Sequence, residues 1–275
     1  MKQSATGRKR APSAGYSLAK HGKLPRLQVN HPDKMTRSTL LCLLAATLAT
    51  TAQANLVTNL VDDFTTSQSI STNNASATNT VTAPSAIGGF RTMSLTTAGD
   101  NLLEDTSLFV SSTTQRLTLN TPVDSTPNFQ LKWGGANGNT GLGADFGAGI
   151  PLDLFTSYLS FSLRGTDIPS DFAWQFTDSS GNSATYNGSF PVHSSTNSAL
   201  PFVISLNSFA NASAVNWNAI DYIIFSGGGK EDLDMTVNAP FQVVASTVPE
   251  PGTWVLFVTG LAVAAFAFRR RASRS

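Results

Sequence analysis

Residues 159–177 read LSFSLRGTDIPSDFAWQFT and contain two stretches in which apolar and polar side chains alternate. The apolar members of this pattern are Leu159, Phe161, Leu163, Phe172, Trp174 and Phe176. Because successive side chains of a β-strand point to opposite faces, a period of two predicts two half-buried strands. Trp174 lies between two phenylalanines on the apolar side, so we expect it in a hydrophobic core.

Similar short runs continue on both sides of this stretch. Phe129, Leu131 and Trp133 repeat the alternation, and further strands are predicted at residues 91–95, 108–112, 115–119, 202–206, 221–225, 233–237 and 241–244. Turn signals separate them, among them Asn187-Gly188 and the glycine-rich residues 134–149. The Ser/Thr/Asn-rich residues 65–82 predict a mobile surface segment or a weak edge strand. The sequence therefore predicts an all-β chain whose residues 55–247 form a single β-sandwich of the jelly-roll kind.

The segment before this domain has the features of an export signal. Residues 35–54 contain Arg37, an apolar run at 40–49 and the small-x-small sequence Ala52-Gln53-Ala54, which together predict a secretory signal peptide and a mature chain that begins at Asn55. Residues 1–34 hold eight basic residues and one acidic residue. We interpret them as an over-extended or unstructured leader, with either Met1 or Met35 as the start of translation. The single cysteine, Cys42, lies in the apolar run, so no disulfide is expected in the exported part.

The C-terminal residues 248–275 have three parts in a fixed order. Pro249, Glu250 and Pro251 come first, an uncharged apolar run at residues 253–268 follows, and Arg269, Arg270 and Arg271 come last. Sixteen helical residues span about 24 Å, somewhat less than a hydrocarbon core of about 30 Å. The run therefore predicts a single, marginal membrane helix. The three arginines would stay on the cytoplasmic side, which places the preceding domain outside the cytoplasm.

This order of motif, helix and arginines resembles the PEP-CTERM sorting signal of Gram-negative bacteria. The resemblance implies that an exosortase, a membrane-embedded processing enzyme, recognises Pro249, Glu250 and Pro251. It also implies a transient anchor in the inner membrane and a final location at the cell surface or outside the cell, often in association with exopolysaccharide or biofilm. The alternative is an ordinary C-terminal tail anchor.

The predicted exported domain is acidic. Residues 55–247 contain five basic and fifteen acidic residues, a net charge near −10 that the whole-chain value of +1 conceals. This charge argues against nucleic acid as a partner. Acidic residues near the first and last strands could instead hold a structural calcium ion, since hard carboxylate ligands favour that cation. The candidate ligands are Asp62, Asp63, Asp232 and Asp234, and solvated acidic loops are the alternative.

Four short motifs of the domain resemble the galactose-binding-like and carbohydrate-binding jelly rolls. They are Asp62-Asp63-Phe64, residues 88–91 (GGFR), residues 133–135 (WGG) and residues 217–225 (WNAIDYIIF). The resemblance implies the jelly-roll fold more than sugar binding, and the indication of a glycan ligand comes from the aromatic residues. Trp133 and Trp217 are the candidates for stacking on a sugar, with Asn137, Asn139 and Asp145 as hydrogen-bonding partners. Core packing of both tryptophans is the other interpretation.

Catalytic chemistry has little support in the sequence. His193 is the single histidine of residues 55–247, and we expect it in a solvated loop. A glycoside hydrolase would need a pair of carboxylates, for example among Asp145, Asp153 and Asp178, but nothing around them marks such a pair. We therefore predict a non-catalytic surface or matrix protein without a cofactor, apart from the calcium ion considered above. A glycan-binding module and a secreted hydrolase remain as alternatives.

Overall fold

Strands dominate the part of the chain that the computed structural model describes, which comprises residues 55–73, 75–99, 104–135 and 140–247. The strands are β1 (Asn55–Asp62), β2 (Gln68–Thr72), β3 (Ser76–Thr82), β4 (Phe90–Gly99), β5 (Thr106–Ser111), β6 (Arg116–Asn120), β7 (Ser125–Gly134), β8 (Tyr158–Thr166), β9 (Ser170–Asp178), β10 (Ser183–Phe190), β11 (Leu200–Ser205), β12 (Ile220–Gly228) and β13 (Met235–Thr247). The helical residues among them are short 3₁₀ turns such as Leu206–Ser208 and Ala212–Ala214. The prediction of an all-β domain is confirmed.

The strands form two antiparallel sheets. The first sheet has seven strands in the order β11-β8-β13-β6-β5-β2, with β1 paired to β13. The second sheet has six strands in the order β10-β9-β12-β7-β4-β3. The pairs β3/β4, β5/β6 and β9/β10 are consecutive in the chain, whereas neighbours such as β8 and β13 or β4 and β7 are distant in sequence, so the chain crosses repeatedly between the sheets. This arrangement confirms the predicted sandwich.

The core lies between the two sheets and is rich in aromatic rings. Phe161 of β8 in the first sheet contacts Phe172 and Trp174 of β9 in the second, with centroid distances of 5.7 Å in both pairs. Phe241 of β13 packs at 5.2 Å from Trp174 and 5.3 Å from Phe225 of β12. The six alternating apolar residues of the stretch at 159–177, from Leu159 to Phe176, are all buried, as their alternation predicts.

Two local predictions are changed by the structure. Asn187-Gly188, predicted as a turn, lies inside β10. Gly188 is needed there for packing, because a Cβ at this position would lie 2.5 Å from Cζ of Phe172. The two runs predicted at 233–237 and 241–244 form one long strand, β13.

The Ser/Thr/Asn-rich residues 65–82 contain two strands, β2 and β3, each at the edge of its sheet, which agrees with the weak-edge interpretation.

Candidate functional site

A buried ion pair joins the two sheets. Nη1 of Arg91 in β4 lies 2.8 Å from Oδ2 of Asp62 at the end of β1, and both residues are fully buried. The same Oδ2 accepts a hydrogen bond of 2.8 Å from Nε1 of Trp133 in β7. Oδ1 of Asp62 accepts the backbone N–H of Phe64, also at 2.8 Å. The carboxylate is therefore fully satisfied inside the protein.

The guanidinium of Arg91 is satisfied in the same way. Its Nε donates to Oε1 of Gln68 at 2.8 Å, its Nη2 donates to the carbonyl of Thr66, and its Cζ lies 5.4 Å from the ring centre of Phe64. Both charged groups are closed to solvent and have all their hydrogen-bonding partners inside the protein, so no ligand can reach them. Their role is therefore structural. Three motifs of the carbohydrate-binding resemblance, around Asp62, Arg91 and Trp133, thus meet in one internal network.

The two tryptophans predicted to contact a glycan are core residues. Trp133 is 0% exposed and stacks on Trp174 with a centroid distance of 6.0 Å. Trp217 is 5% exposed, and its Nε1 donates to the carbonyl of Ala212 at 2.9 Å. A ring must be open to solvent to stack on a sugar, so the structure corrects the prediction of glycan contact for both and favours the core interpretation. Trp174 is buried, as predicted.

The four aspartates predicted to bind calcium lie in two separate places. Asp62 pairs in register with Phe241, whereas Asp232 and Asp234 precede Met235 at the start of β13. Along a strand this separation corresponds to roughly 20 Å. Asp63 accepts hydrogen bonds from Thr65 in its own loop and from Ser85 in the loop between β3 and β4. The structure does not bring the four carboxylates together, which corrects the expectation of a calcium site made from them.

Asp234 instead lines a small cavity of about 430 Å³ beside the start of β13. Oδ1 of Asp234 accepts the N–H of Thr121 at 2.8 Å, and Oδ1 of Asp232 accepts the N–H of Asp124 at 2.6 Å. Burial raises the pKa of Asp234; the hydrogen bond from Thr121 opposes this rise, and the charges of Asp167 and Asp232 add to it. In the described residues, no group of three or more potential metal ligands is found.

His193 borders the same cavity. Its backbone N–H and carbonyl are both hydrogen-bonded to the backbone of Thr166, with N···O distances of 3.0 and 2.9 Å. Its side-chain Nε2 lies 2.8 Å from the carbonyl oxygen of Ser198. The hydroxyl of Ser194 lies 2.8 Å from that of Thr196. The ring thus has a hydrogen-bonding partner in its own loop, as expected for a loop histidine.

Each of the three carboxylates considered for hydrolysis accepts hydrogen bonds from loop residues. Asp145 is exposed and accepts the N–H of Gly147 at 3.0 Å. Asp153 accepts the N–H of Phe155 at 3.0 Å and the hydroxyl of Thr156 at 2.8 Å. Asp178 is buried and accepts four hydrogen bonds from two loops. These contacts are those of turn-stabilising aspartates.

Asp178 also gives a prediction on acid stability. Burial raises the pKa of Asp178, but the hydrogen bonds from Asn216, Asn182 and Ser180 together outweigh it and hold the pKa below its ordinary value. The stabilisation is therefore present above the unfolded-state pKa of about 3.9 and is lost as the pH falls through the folded-state value. Asp178→Asn should lower the free energy of unfolding at pH 7 and flatten its fall below about pH 4.

Urea unfolding from pH 7 down to pH 2 would measure this effect, with Asp145→Asn as the matched control. Asp145 is exposed and accepts one hydrogen bond within its own turn, so its replacement should change the free energy of unfolding little. Equal pH profiles for Asp178→Asn and the wild-type protein would contradict the prediction.

An open groove of about 910 Å³ runs over the outer face of the second sheet. Strand pairing places one polar row across five strands, from β4 to β10 in sheet order. The row consists of Ser94, Gln130, Ser226, Ala173 and Asn187. The next row consists of Thr96, Asn128, Gly228, Asp171 and Ser189. Five neighbouring strands extend over about 19 Å, so the groove is long enough for a chain-like ligand.

The shape of the groove follows from side-chain size. The central strands β12 and β9 contribute small residues to the floor, namely Ser226, Gly228 and Ala173, while Asn128 and Gln130 stand on one side. Gly227 lies beneath, where a Cβ would come within 2.9 Å of the Phe129 ring. Phe129 itself is only 3% exposed, so its ring belongs to the core.

The chemistry of the groove is that of hydrogen bonding. Hydroxyl groups come from serine and threonine, amides come from Asn128, Gln130 and Asn187, and Asp171 contributes a carboxylate. Such groups can bind a polyhydroxylated ligand. The sequence alone does not predict this site, because the polar half of each alternating strand indicates only a solvent-facing surface. The signal was present in the run of small or amide-bearing residues at those positions.

Several predicted features lie outside the described residues. They are the leader at 1–34, the signal peptide at 35–54 with Cys42, the candidate glycan contacts Asn137 and Asn139, the motif Pro249, Glu250 and Pro251, the helix at 253–268, and Arg269, Arg270 and Arg271. Within the described ranges, no helix has the length and apolar character required to cross a membrane.

Comparison with known families identifies the C-terminal segment. The family model described as the PEP-CTERM protein-sorting motif matches residues 247–271. The predicted resemblance is confirmed, and the match indicates an exported protein that carries an exosortase-type sorting signal at its C terminus. The match leaves the role of the β-sandwich open.

Solved structures similar to this chain include two carbohydrate-binding modules. One is the Family 11 Carbohydrate-Binding Module of cellulosomal cellulase Lic26A-Cel5E of Clostridium thermocellum. Its sequence is 11% identical to this chain, the TM-score is 0.35, and the match covers 70% of this chain and 96% of the module. TmCBM61, solved in complex with β-1,4-galactotriose, is 9% identical, with a TM-score of 0.29, over 66% of this chain and 89% of that one. Since both TM-scores are below 0.5, what those modules bind says nothing about this chain. A search of curated proteins found no match to the sequence.

Proposed function

We propose that this protein is a non-catalytic cell-surface or extracellular-matrix protein that binds exopolysaccharide in the groove of its second sheet. The observation that carries the proposal is the groove itself, with its floor of small residues and its rows of hydroxyl and amide groups. A sugar chain offers many hydroxyl groups, and each can donate and accept hydrogen bonds along such rows. Where a sugar hydroxyl lies too far from a groove side chain for a direct hydrogen bond, a water molecule can bridge the two groups.

The charge of the domain agrees with this role. Asp171 is the charged residue among those lining the groove, and the net charge of residues 55–247 is near −10. A nucleic acid would be repelled by such a surface, whereas a neutral glycan would not. The proposed ligand is therefore an uncharged or weakly charged polysaccharide of the biofilm matrix around a Gram-negative cell.

Export and sorting provide the route to that location. In this proposal, the signal peptide at 35–54 directs export, the helix at 253–268 anchors the chain transiently in the inner membrane, and an exosortase removes the tail at the motif of residues 247–271. The sandwich stays outside the cytoplasm throughout, and the processed protein reaches the cell surface or the medium.

Sorting predicts the mass of the mature protein. In a host with its exosortase, the protein recovered from outside the cell should begin near Asn55 and lack Arg269, Arg270 and Arg271. Intact mass spectrometry of this material would check both ends. In a host without the exosortase, the C-terminal segment should stay attached and the protein should remain with the membrane. A secreted form that keeps residues 253–275 would contradict sorting and indicate a simple tail anchor.

Glycan binding predicts the effect of a substitution in the groove. Gln130→Ala should weaken binding to matrix polysaccharide by about tenfold, the equivalent of one or two lost hydrogen bonds. Affinity electrophoresis of the secreted protein, in gels containing polysaccharide purified from the producing cells, would measure the change in the dissociation constant.

Gln242→Ala is the matched control for this experiment. Gln242 lies on the first sheet and is half-buried, with its Nε2 at 3.0 Å from Oγ of Ser160. Its replacement should leave polysaccharide binding unchanged. Equal affinities of the Gln130→Ala variant and the wild-type protein would remove the groove from the proposal, and no retardation of the wild-type protein would overturn glycan binding altogether.

A further inference from the structure

The first and last strands of the domain end side by side. β1 and β13 are antiparallel partners, and their register pairs Asn55 with Thr247 and Leu56 with Ser246. The predicted signal peptide ends one residue before Asn55, and the matched sorting motif starts at Thr247. Both targeting segments therefore attach to the same end of the first sheet.

A loop is fixed against this end by hydrogen bonds. Leu152 forms an isolated β-bridge with Thr247, and the N–H of Asp153 donates to the carbonyl of Ser246 at 2.9 Å. Further along, Oγ of Ser157 accepts the N–H of Ser246 at 2.8 Å. The loop between residues 150 and 157 thus cannot leave the end of β13 without breaking these bonds.

The side chains presented here are apolar. Phe155, at the tip of the loop, is 77% exposed, Leu56 is 66% exposed, and Ile150 at the start of the loop is 36% exposed. The one carboxylate in the loop, Asp153, is occupied by the N–H of Phe155 and the hydroxyl of Thr156. These exposed apolar side chains belong to two segments that are both bonded to the end of β13. Exposed apolar surface can mark a contact site, and a large aromatic ring is well suited to the membrane interface.

The length of the tether fixes how far this end can be from a bilayer. Residues 248–252 are the five residues between β13 and the predicted membrane helix at 253–268. Five extended residues reach at most about 18 Å. While the helix is inserted, the end of β13 at Thr247, and the start of β1 that is paired with it, must therefore lie within about 18 Å of the membrane surface.

We propose that this end, with Phe155, Leu56 and Ile150, rests on the lipid bilayer before the sorting signal is removed. Phe155 inserts its ring among the headgroups and upper acyl chains, and the domain is held in a fixed orientation with the linker beside it. The proposal depends on insertion of the helix at 253–268 and is independent of glycan binding.

The test uses the full chain in lipid nanodiscs. A bimane fluorophore is placed at residue 155 in one variant, Phe155→Cys, and at residue 123 in another, Val123→Cys, both with Cys42→Ser. Val123 is the matched control, because it is apolar and 65% exposed but lies after β6, which pairs with the opposite end of β13. Lipids with a spin label near the headgroup then quench any fluorophore that touches them.

We expect at least threefold stronger quenching at residue 155 than at residue 123. Hydrogen exchange of the wild-type chain gives a second readout that needs no substitution: residues 150–157 should exchange more slowly in nanodiscs than after removal of the tail, while residues 121–126 should not change. Equal quenching at both positions together with unchanged exchange would overturn the proposal. A chain that fails to associate with the nanodiscs would overturn it as well, because the helix would then not be inserted.

Discussion

Replacing Arg91 with alanine is expected to lower the free energy of unfolding by about 3–5 kcal/mol, the cost of leaving a buried charge without its partner. The guanidinium of Arg91 is 2.8 Å from Oδ2 of Asp62, and both side chains are closed to water. Without it, Asp62 keeps the hydrogen bonds from Trp133 and Phe64 but loses its counter-charge. Urea unfolding of the exported protein, followed by tryptophan fluorescence, would measure the loss.

Arg116→Ala is the matched control for this measurement. Arg116 is half-buried on the first sheet, and its Nε donates to Oδ1 of Asn238 at 3.1 Å. Its removal should cost no more than about 1 kcal/mol. The double replacement Asp62→Leu with Arg91→Met should cost less than Arg91→Ala alone, because it leaves no buried charge behind. A similar small loss for Arg91→Ala and Arg116→Ala would show that the pair contributes little.

Phe241→Ala should also be strongly destabilising, by about 3–5 kcal/mol. Phe241 comes from the first sheet and makes edge contacts with Phe64, Trp133, Phe161, Trp174 and Phe225, with centroid distances from 4.9 to 5.9 Å. Its removal leaves a cavity that the surrounding rings, fixed by their strands, cannot fill. The expected readouts are a lower urea midpoint and a lower melting temperature.

The same chemical change at Phe155 serves as the control. Phe155 is 77% exposed, so Phe155→Ala should change the free energy of unfolding by less than about 0.5 kcal/mol in solution. Equal effects of the two substitutions would mean that the aromatic cluster around Phe241 does not hold the sheets together.

Strand alternation predicted the fold well, because a strand that is buried on one face has an apolar residue at every second position of its sequence. Residues 159–177 show it clearly, with Phe161 and Trp174 on the buried faces of two strands. Two strands were not predicted. β1 lacks large apolar residues in strict alternation, and β10 contains Asn187-Gly188, in which the glycine serves packing against Phe172 and not a turn.

The candidate site was harder to predict from sequence. Trp133 and Asp62 stand next to glycine and acidic neighbours, which in sequence suggest surface ligands. In the fold, Asp62 is bonded to Arg91, 29 residues away, and to Trp133, 71 residues away, and all three are buried. The groove depends on which polar residues become neighbours across five strands, and that register is a tertiary property. The sorting motif, by contrast, is contiguous in sequence and was recognised directly.

The position of β13 also determines when the domain can finish folding during export. β13 is the last strand to leave the translocation channel, yet it lies inside the first sheet, with β8 on one side and β6 and β1 on the other. The first strand, β1, therefore cannot pair until β13, about 180 to 190 residues later in the chain, has also emerged. Since the sorting motif begins at the final residue of that partner, the first sheet closes only when the motif itself emerges. A chain that stops before β13 would leave β1 and β8 without the strand that lies between them, so the sorting signal comes directly after the last element that the domain needs.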